Sequence, residues 1–272
     1  MSVRDAIAED RAIAALVRKG ASLSFDDKGN VTKIFIADVS FRDSELGYFA
    51  YFPKLADLNL TSCEVDDAIW PYLTKMPKLY SLTLWGSAIT DKGMKNLGLM
   101  PKLKKLDVRG TKITDRGLAH VAQLKSLEIL ELLGTRITGA GLRHLRELTN
   151  LKELGLVQTA VDDEGLKHIR DLNGLTELSL EGSRITNDGL VHVGRLTKLE
   201  VLTIHNTEIN ERGLAHLENL TNLRTLYLCV PVSDVGLLSL KKMKNLRDLY
   251  IGDVAIESRT FLQSQLPDVG VY

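Results

Sequence analysis

Cysteine is nearly absent from this chain: 272 residues hold two, Cys63 and Cys229, far apart in sequence. That scarcity excludes a disulfide framework and a C-x-x-C metal or redox motif, and it suits a reducing compartment. Excess charge is missing as well. The 35 Lys and Arg residues balance 35 Asp and Glu residues at a formal net charge of zero, which argues against nucleic-acid binding driven by bulk charge. No run approaches 18 consecutive apolar residues, and the first ten residues carry Asp5, Glu9 and Asp10 where a secretory leader needs an apolar core. No membrane association is expected, and the expected compartment is the cytoplasm. Catalytic signatures are lacking too: there is no phosphate loop, H-E-x-x-H or nucleophile elbow. The stretch HIRDLNG (168–174) resembles a kinase catalytic loop, but Ile169 is inserted and no glycine-rich loop accompanies it. Neither an enzyme nor a cofactor is expected.

What the chain does have is a period. Val31, Leu55, Leu79, Leu103, Leu127, Leu151, Leu175, Leu199 and Leu223 recur every 24 residues, and Leu246 follows after 23. Counting that residue as offset zero, offset three is Ile34 and then leucine from Leu58 to Leu249, and offset five runs from Ile36 through Val108 and Ile204 to Ile251. All 30 positions are apolar, where composition alone would fill roughly 13. A short strand whose alternate side chains enter a shared core, followed by a turn and a return helix, accounts for the pattern.

The rest of each coil fits that scheme. Offset eight holds Cys63, Ser87, Thr111, Thr135, Thr159, Ser183 and Thr207, small groups able to bond turn backbone in a ladder. A polar residue then stands where a helix cap is needed, and Asp91, Asp115 and Asp163 suit the positive start of a helix. Gly93, Gly117, Gly141, Gly165, Gly189 and Gly213 recur early in the return segment, where a side chain is expected to strike the adjacent coil. Leu118, Val121 and Leu124 form the inward stripe of a helix of two to three turns.

Segments such as LKKLDVRGTKITDRGLAHVAQLKS resemble the leucine-rich repeat proteins over about residues 31–253. The I-T-D-x-G-L core is similar to the cysteine-containing subclass of F-box receptors and, more closely, to 24-residue bacterial repeats with Thr at the ladder position. The resemblance implies an α/β leucine-rich repeat solenoid with a parallel sheet on a concave face and short helices on a convex one. It also implies a non-enzymatic module that binds protein. About 30 residues before the first coil are too few for an F-box domain, and nothing after the repeats offers a ligase domain.

Three regions are expected: a capping helix and strand over 1–30, about ten repeats over 31–253, and a second cap over 254–272. Residues 3–19 show mainly helical apolar spacing, including Ile7, Ile13, Leu16 and Val17, and end at Gly20. Leu23 and Phe25 begin a strand that the turn 26–30 returns as a hairpin. Val254, Ile256, Phe261 and Leu266 leave the repeat frame and are expected to fold over the last coil. Trp70 replaces a core leucine, and Cys229 and Pro231 interrupt the ladder turn of the short ninth coil.

Function is sought on the strands' outer face, because core positions are constrained by the repeat. Offset six there includes Trp85, Arg109, Leu133, Val157, Glu181 and His205, and offset four adds Glu131, Tyr227 and Tyr250. Glu177, at offset two, extends an acidic stretch beside apolar groups. These ten residues are the candidate partner-binding set, suited to a basic, partly apolar protein or peptide. Two alternatives stand beside it. One is self-assembly into a homo-oligomer through the apolar stripe or the open edges of the repeat array. The other is a metal- or pH-responsive role for the aligned His120, His144, His168, His192 and His216, disfavoured because zinc needs three or four ligands about 2.1 Å from one ion.

Overall fold

The computed structural model describes residues 3–228, 230, 232–252 and 256–272. Cys229, Pro231 and Val254 lie outside them. Two compact units divide the chain, Met1–Glu131 and Leu132–Tyr272.

In the first unit, helix α1 (Val3–Arg18) precedes strands β1 (Ser22–Phe25), β2 (Val31–Ala37), β3 (Asp57–Thr61), β4 (Ser81–Thr83), β5 (Lys105–Asp107) and β6 (Ile129–Glu131). Strand β1 runs antiparallel to β2, and β2 to β6 are parallel in chain order. The hairpin turn is built as its residues dictate. Asp26 Oδ1 accepts from the backbone N–H groups of Lys28 and Asn30 at 3.0 and 2.9 Å, and Gly29 takes the left-handed conformation at φ +77°. In the second unit, β7 (Glu153–Gly155), β8 (Glu177–Ser179), β9 (Val201–Thr203), β10 (Thr225–Tyr227), β11 (Asp248–Tyr250) and β12 (Gly270–Val271) are parallel in chain order.

Register explains the repeat. Leu58, Leu82, Leu106 and Leu130 are successive strand partners in the first unit, as are Leu154, Leu178, Leu202, Leu226 and Leu249 in the second. All are buried, so each coil covers a leucine of its neighbour and none has a core of its own. Backbone pairing runs on past the strands. Leu84 N–H donates to Asp107 O at 2.8 Å and Gly86 N–H to Arg109 O at 2.8 Å; Gln158 N–H donates to Glu181 O at 2.8 Å and Gly182 N–H to His205 O at 3.2 Å. Offset seven then turns the chain through the left-handed region, with glycine at 86, 110, 134 and 182 but Asp38, Ser62, Gln158 and Asn206 elsewhere.

The return segments are shorter than the spacing predicts. Most hold four to seven residues, those over Gly139–His144 and Glu211–Leu217 are 3₁₀ helices, and Asp91–Met94 reaches nine residues only by continuing as the 3₁₀ helix Lys95–Leu99. A 24-residue coil must also reverse twice, and the helix yields the length. Leu124 therefore lies buried beyond the helix Asp115–Val121. The ladder hydroxyls bond turn backbone as expected. Each hydroxyl bonds within its own coil: Ser87 to Leu84 O, Thr111 to Val108 O, Thr135 to Leu132 O and Ser183 to Leu180 O, at 2.6 to 2.7 Å. Cys63 Sγ alone reaches back to the preceding coil, 3.5 Å from Ile36 O.

Coils are tied by the aspartate or asparagine that opens several of the return segments. Asp91 accepts from Thr114 through both the backbone N–H and the hydroxyl, at 2.8 and 2.7 Å, and Asp163 accepts from Thr186 at the same distances. Asp67 holds Thr90 in the same way, and Asn187 Oδ1 accepts from Asn210 N–H at 3.0 Å. Thr114 in turn caps its own helix, accepting from Arg116 N–H. The glycines leave room for these bonds. A Cβ on Gly117 would stand 2.5 Å from Asp91 Oδ1, and one on Gly165 would stand 2.4 Å from Gly139 Cα.

At the termini the pattern changes. Helix α1 buries Ala12 and Leu16, while Ile7 and Val17 are about half exposed, because only one narrow stripe of the helix touches the unit. The final helix, Ile256–Gln265, buries Leu262 and leaves Phe261 41% exposed. Leu262 and Leu266 are the i, i+4 pair on its inner face, and Phe261 falls one position off it. The chain then adds β12 beside β11, a strand that lies outside the 24-residue frame. Trp70 is fully buried as a core residue; its indole Nε1 has no partner and lies against the Gly93 position.

Candidate interaction face

The ten candidate residues all stand on or just beyond the strands, and they fall into two groups, one per unit. In the first unit, Trp85 and Arg109 follow β4 and β5 directly. The Arg109 guanidinium donates from Nε and Nη2 to the Asp107 carboxylate at 2.9 and 2.6 Å, and its carbon lies 4.5 Å from the Trp85 ring centre. Asp107 is only 2% exposed. Arg109 is thus the neutralising lid on a buried carboxylate, with Trp85 stacked on it, rather than a free anchor. Asp107 and, more weakly, Glu131 hold the guanidinium pKa above its ordinary value against the opposing effect of burial. Trp85 remains 40% exposed.

In the second unit, Leu133 and Val157 are half-buried at offset six, followed by Glu181 and His205. His205 Nε2 lies 3.1 Å from Glu181 Oε1, and its Nδ1 is buried without a partner. Glu153 and Glu177 are direct partners on parallel strands, so their carboxylates share one edge of the face. Burial, with Glu153 and then Glu200 nearby, pushes the Glu177 carboxyl above the usual carboxylate range. Gly155, Ser179 and Thr203, between these acidic and apolar rows, are small. The face therefore carries small residues between a row that includes Glu153 and Glu177 and a row that runs from Leu133 and Val157 to Glu181 and His205.

Beyond His205 the same face turns aromatic. The Tyr227 and Tyr250 rings stack at 4.3 Å and 11°, and Tyr250 stacks on Tyr272 at 4.9 Å and 22°. Tyr272 was not legible as part of the site, since only β12 brings it there. The five aligned histidines lie on the helical side, partly or fully exposed. Among the described residues no three His, Cys, Asp or Glu side chains are grouped to hold a metal. Nor is any helix of the described residues long and apolar enough to cross a membrane.

Comparison with known proteins agrees with this architecture. The family model described as Leucine Rich repeat matches residues 100–122. An internalin (inlF) from Listeria monocytogenes has a similar structure, with a TM-score of 0.55 and 19% identity over 97% of this chain and 93% of that one. The leucine-rich repeat ectodomain of the plant membrane receptor kinase GASSHO1/SCHENGEN3 from Arabidopsis thaliana, solved in complex with CASPARIAN STRIP INTEGRITY FACTOR 2, is similar at a TM-score of 0.54 and 15% identity. That likeness covers 87% of this chain and 31% of the receptor chain. Among curated proteins, none matches the sequence. The chain therefore has the α/β leucine-rich repeat fold, a fold that commonly mediates protein–protein interaction.

Proposed function

We propose that the protein is a non-enzymatic binding module whose second unit holds an extended, basic and partly apolar peptide segment on the outer face of its strands. The observation that carries this reading is the gathering of carboxylates on that face, where Glu153 and Glu177 are direct partners on adjacent strands. Burial, with Glu153 and then Glu200 nearby, pushes the Glu177 carboxyl upward, and a cationic side chain laid along this row would offset the like charges. Leu133 and Val157 offer apolar contact on the other side, and the tyrosine stack presents ring edges and hydroxyls at one end. The solved plant ectodomain supports the general mode, because that neighbour in fold was solved in complex with CASPARIAN STRIP INTEGRITY FACTOR 2. A buried free thiol at Cys63 suits a reducing compartment such as the cytoplasm.

The test is fluorescence anisotropy with labelled peptides of about twelve residues, the reach of an extended strand across several coils. Peptides mixing Lys or Arg with Leu and Phe should bind, and Glu177→Lys with Glu181→Lys should abolish binding while circular dichroism stays unchanged. Equal binding of acidic peptides, or binding indifferent to the double substitution, would refute the reading. Arg109→Ala is a poor probe, since it strands the buried Asp107 carboxylate and confounds binding with folding.

A further inference from the structure

A second surface, on the first unit and away from the strand face, carries charge of the opposite sign. Where each coil descends from its helical segment into the next strand, three consecutive coils repeat Pro-Lys-Leu: Pro53-Lys54-Leu55, Pro77-Lys78-Leu79 and Pro101-Lys102-Leu103. The leucines are buried and the lysines exposed. Because the strands that follow are parallel and in register, the lysines form one row at about the strand spacing of 4.8 Å.

The row is part of a wider bias. Residues 50–57, 74–81, 98–105 and 122–129 hold seven lysines and two carboxylates, Asp57 and Glu128, the second of which pairs with Lys104 at 2.6 Å. Lys54, Lys75, Lys78 and Lys102 have no ion-pair partner among the described residues. The repeat does not require this. The same position in the second unit is Asn150, Gly174, Lys198, Asn222 and Asn245, one lysine in five coils, with Glu153 and Glu177 close behind the first two. Four like charges crowded on one edge repel one another and lower the stability of the free chain, which is expected only where something offsets them.

The edge is not purely polar. Lys78, Tyr80, Lys102, Lys104 and Ser126 surround one open depression, the Tyr80 ring is 40% exposed, and Leu99, three residues before Lys102, is 66% exposed. We propose that this edge is a second docking site, for an extended acidic segment of a partner protein whose Asp and Glu side chains meet the lysine row and whose apolar residues pack on Tyr80 and Leu99. Lysine ammonium groups act as point charges that suit scattered carboxylates. A phosphate-rich polymer would be better served by arginine forks, which this edge lacks. With a basic segment held on the strand face of the second unit, the protein would present two binding surfaces of opposite charge preference.

The test uses the full chain and a fluorescein-labelled Glu-rich peptide of about twelve residues containing Leu and Phe. Binding should weaken at least about tenfold in the triple variant Lys54→Gln, Lys78→Gln and Lys102→Gln, and should fall as salt rises. A second variant, Tyr80→Ser with Leu99→Ser, should weaken the same peptide yet leave an all-Glu peptide unaffected. The control triple Lys198→Gln, Lys241→Gln and Lys244→Gln should bind as the native chain does. No binding by the native chain, equal loss in the control, or tighter binding of an oligonucleotide of the same charge would overturn the proposal. Because Glu177→Lys with Glu181→Lys leaves this edge untouched, failure here and failure of the strand-face reading are separable.

Discussion

Replacing Asp91 tests whether the coils are joined by their acidic residues. Its carboxylate accepts two bonds from Thr114, at 2.8 Å from the backbone N–H and 2.7 Å from the hydroxyl. Bonds to a charged acceptor contribute about 1.5–3 kcal/mol each, and an N–H left without an acceptor adds to the loss. Partial access of water to this site favours the lower end, so Asp91→Ala should cost about 3 kcal/mol. Asp91→Asn should cost about 1 kcal/mol or less, because the amide oxygen still accepts from the N–H and the hydroxyl can accept in its turn. The chain already contains that arrangement, where Asn187 both accepts from Asn210 N–H and donates to its side-chain oxygen at 3.1 Å. In urea titrations the alanine variant should lose about 1 M in midpoint and the asparagine variant a small fraction of that. If asparagine proves as damaging as alanine, or alanine costs under about 1 kcal/mol, the carboxylate is not the tie described.

Gly165→Ala should destabilise by about 2–3 kcal/mol, since its methyl group would meet Gly139 backbone at 2.4 Å; Gly29→Ala, in open space at φ +77°, should cost only about 1 kcal/mol. The same urea assay ranks the two, and the reverse order would refute the packing argument. Glu45 is held at a pKa of about 2, chiefly by the Arg42 backbone N–H, with burial opposing and the Arg42 and Lys19 side chains assisting. A lowered folded-state pKa contributes stability above the unfolded value of 4.5 that is lost as pH falls toward about 2. Glu45→Gln should therefore flatten the decline of Tm over that window. For Glu177 the sign is opposite: its raised pKa makes the charged form a liability, so Glu177→Gln should raise Tm at neutral pH and match the native chain where the carboxyl is protonated.

The 24-residue spacing was enough to place the strands and their register, because the inner face of each strand is buried against the leucines of its neighbours, which leaves little choice of residue there. Trp70 as core and the Glu181–His205 contact were legible for the same reason: each sits at a known offset of a regular array. Length of the return helices was not, since apolar spacing continues through Leu124 in a turn beyond the end of the regular helix at Val121. Phe261 was misplaced because a final helix without a repeat frame has no register to fix its inner face. Asp91 and its counterparts read as helix-start charges, and the bonds they make to the next coil depend on geometry between coils that spacing does not carry. On the strand face, Arg109 looked like a free anchor; the buried Asp107 two residues earlier is what claims it.

The acidic ties also give the molecule a direction. Every one of them runs forward, from an acceptor in one coil to the capping residue of the next, as from Asp67 to Thr90, Asp91 to Thr114 and Asp163 to Thr186. Removing a coil from the carboxyl side of such a pair returns a carboxylate to water, where it is well solvated. Removing one from the amino side strips the acceptor from a backbone N–H at a helix start and loosens the coil that remains. Within each unit, erosion should therefore proceed more easily from the carboxyl-terminal side, and a proteolytic ladder of successive fragments would be expected to keep common amino-terminal ends.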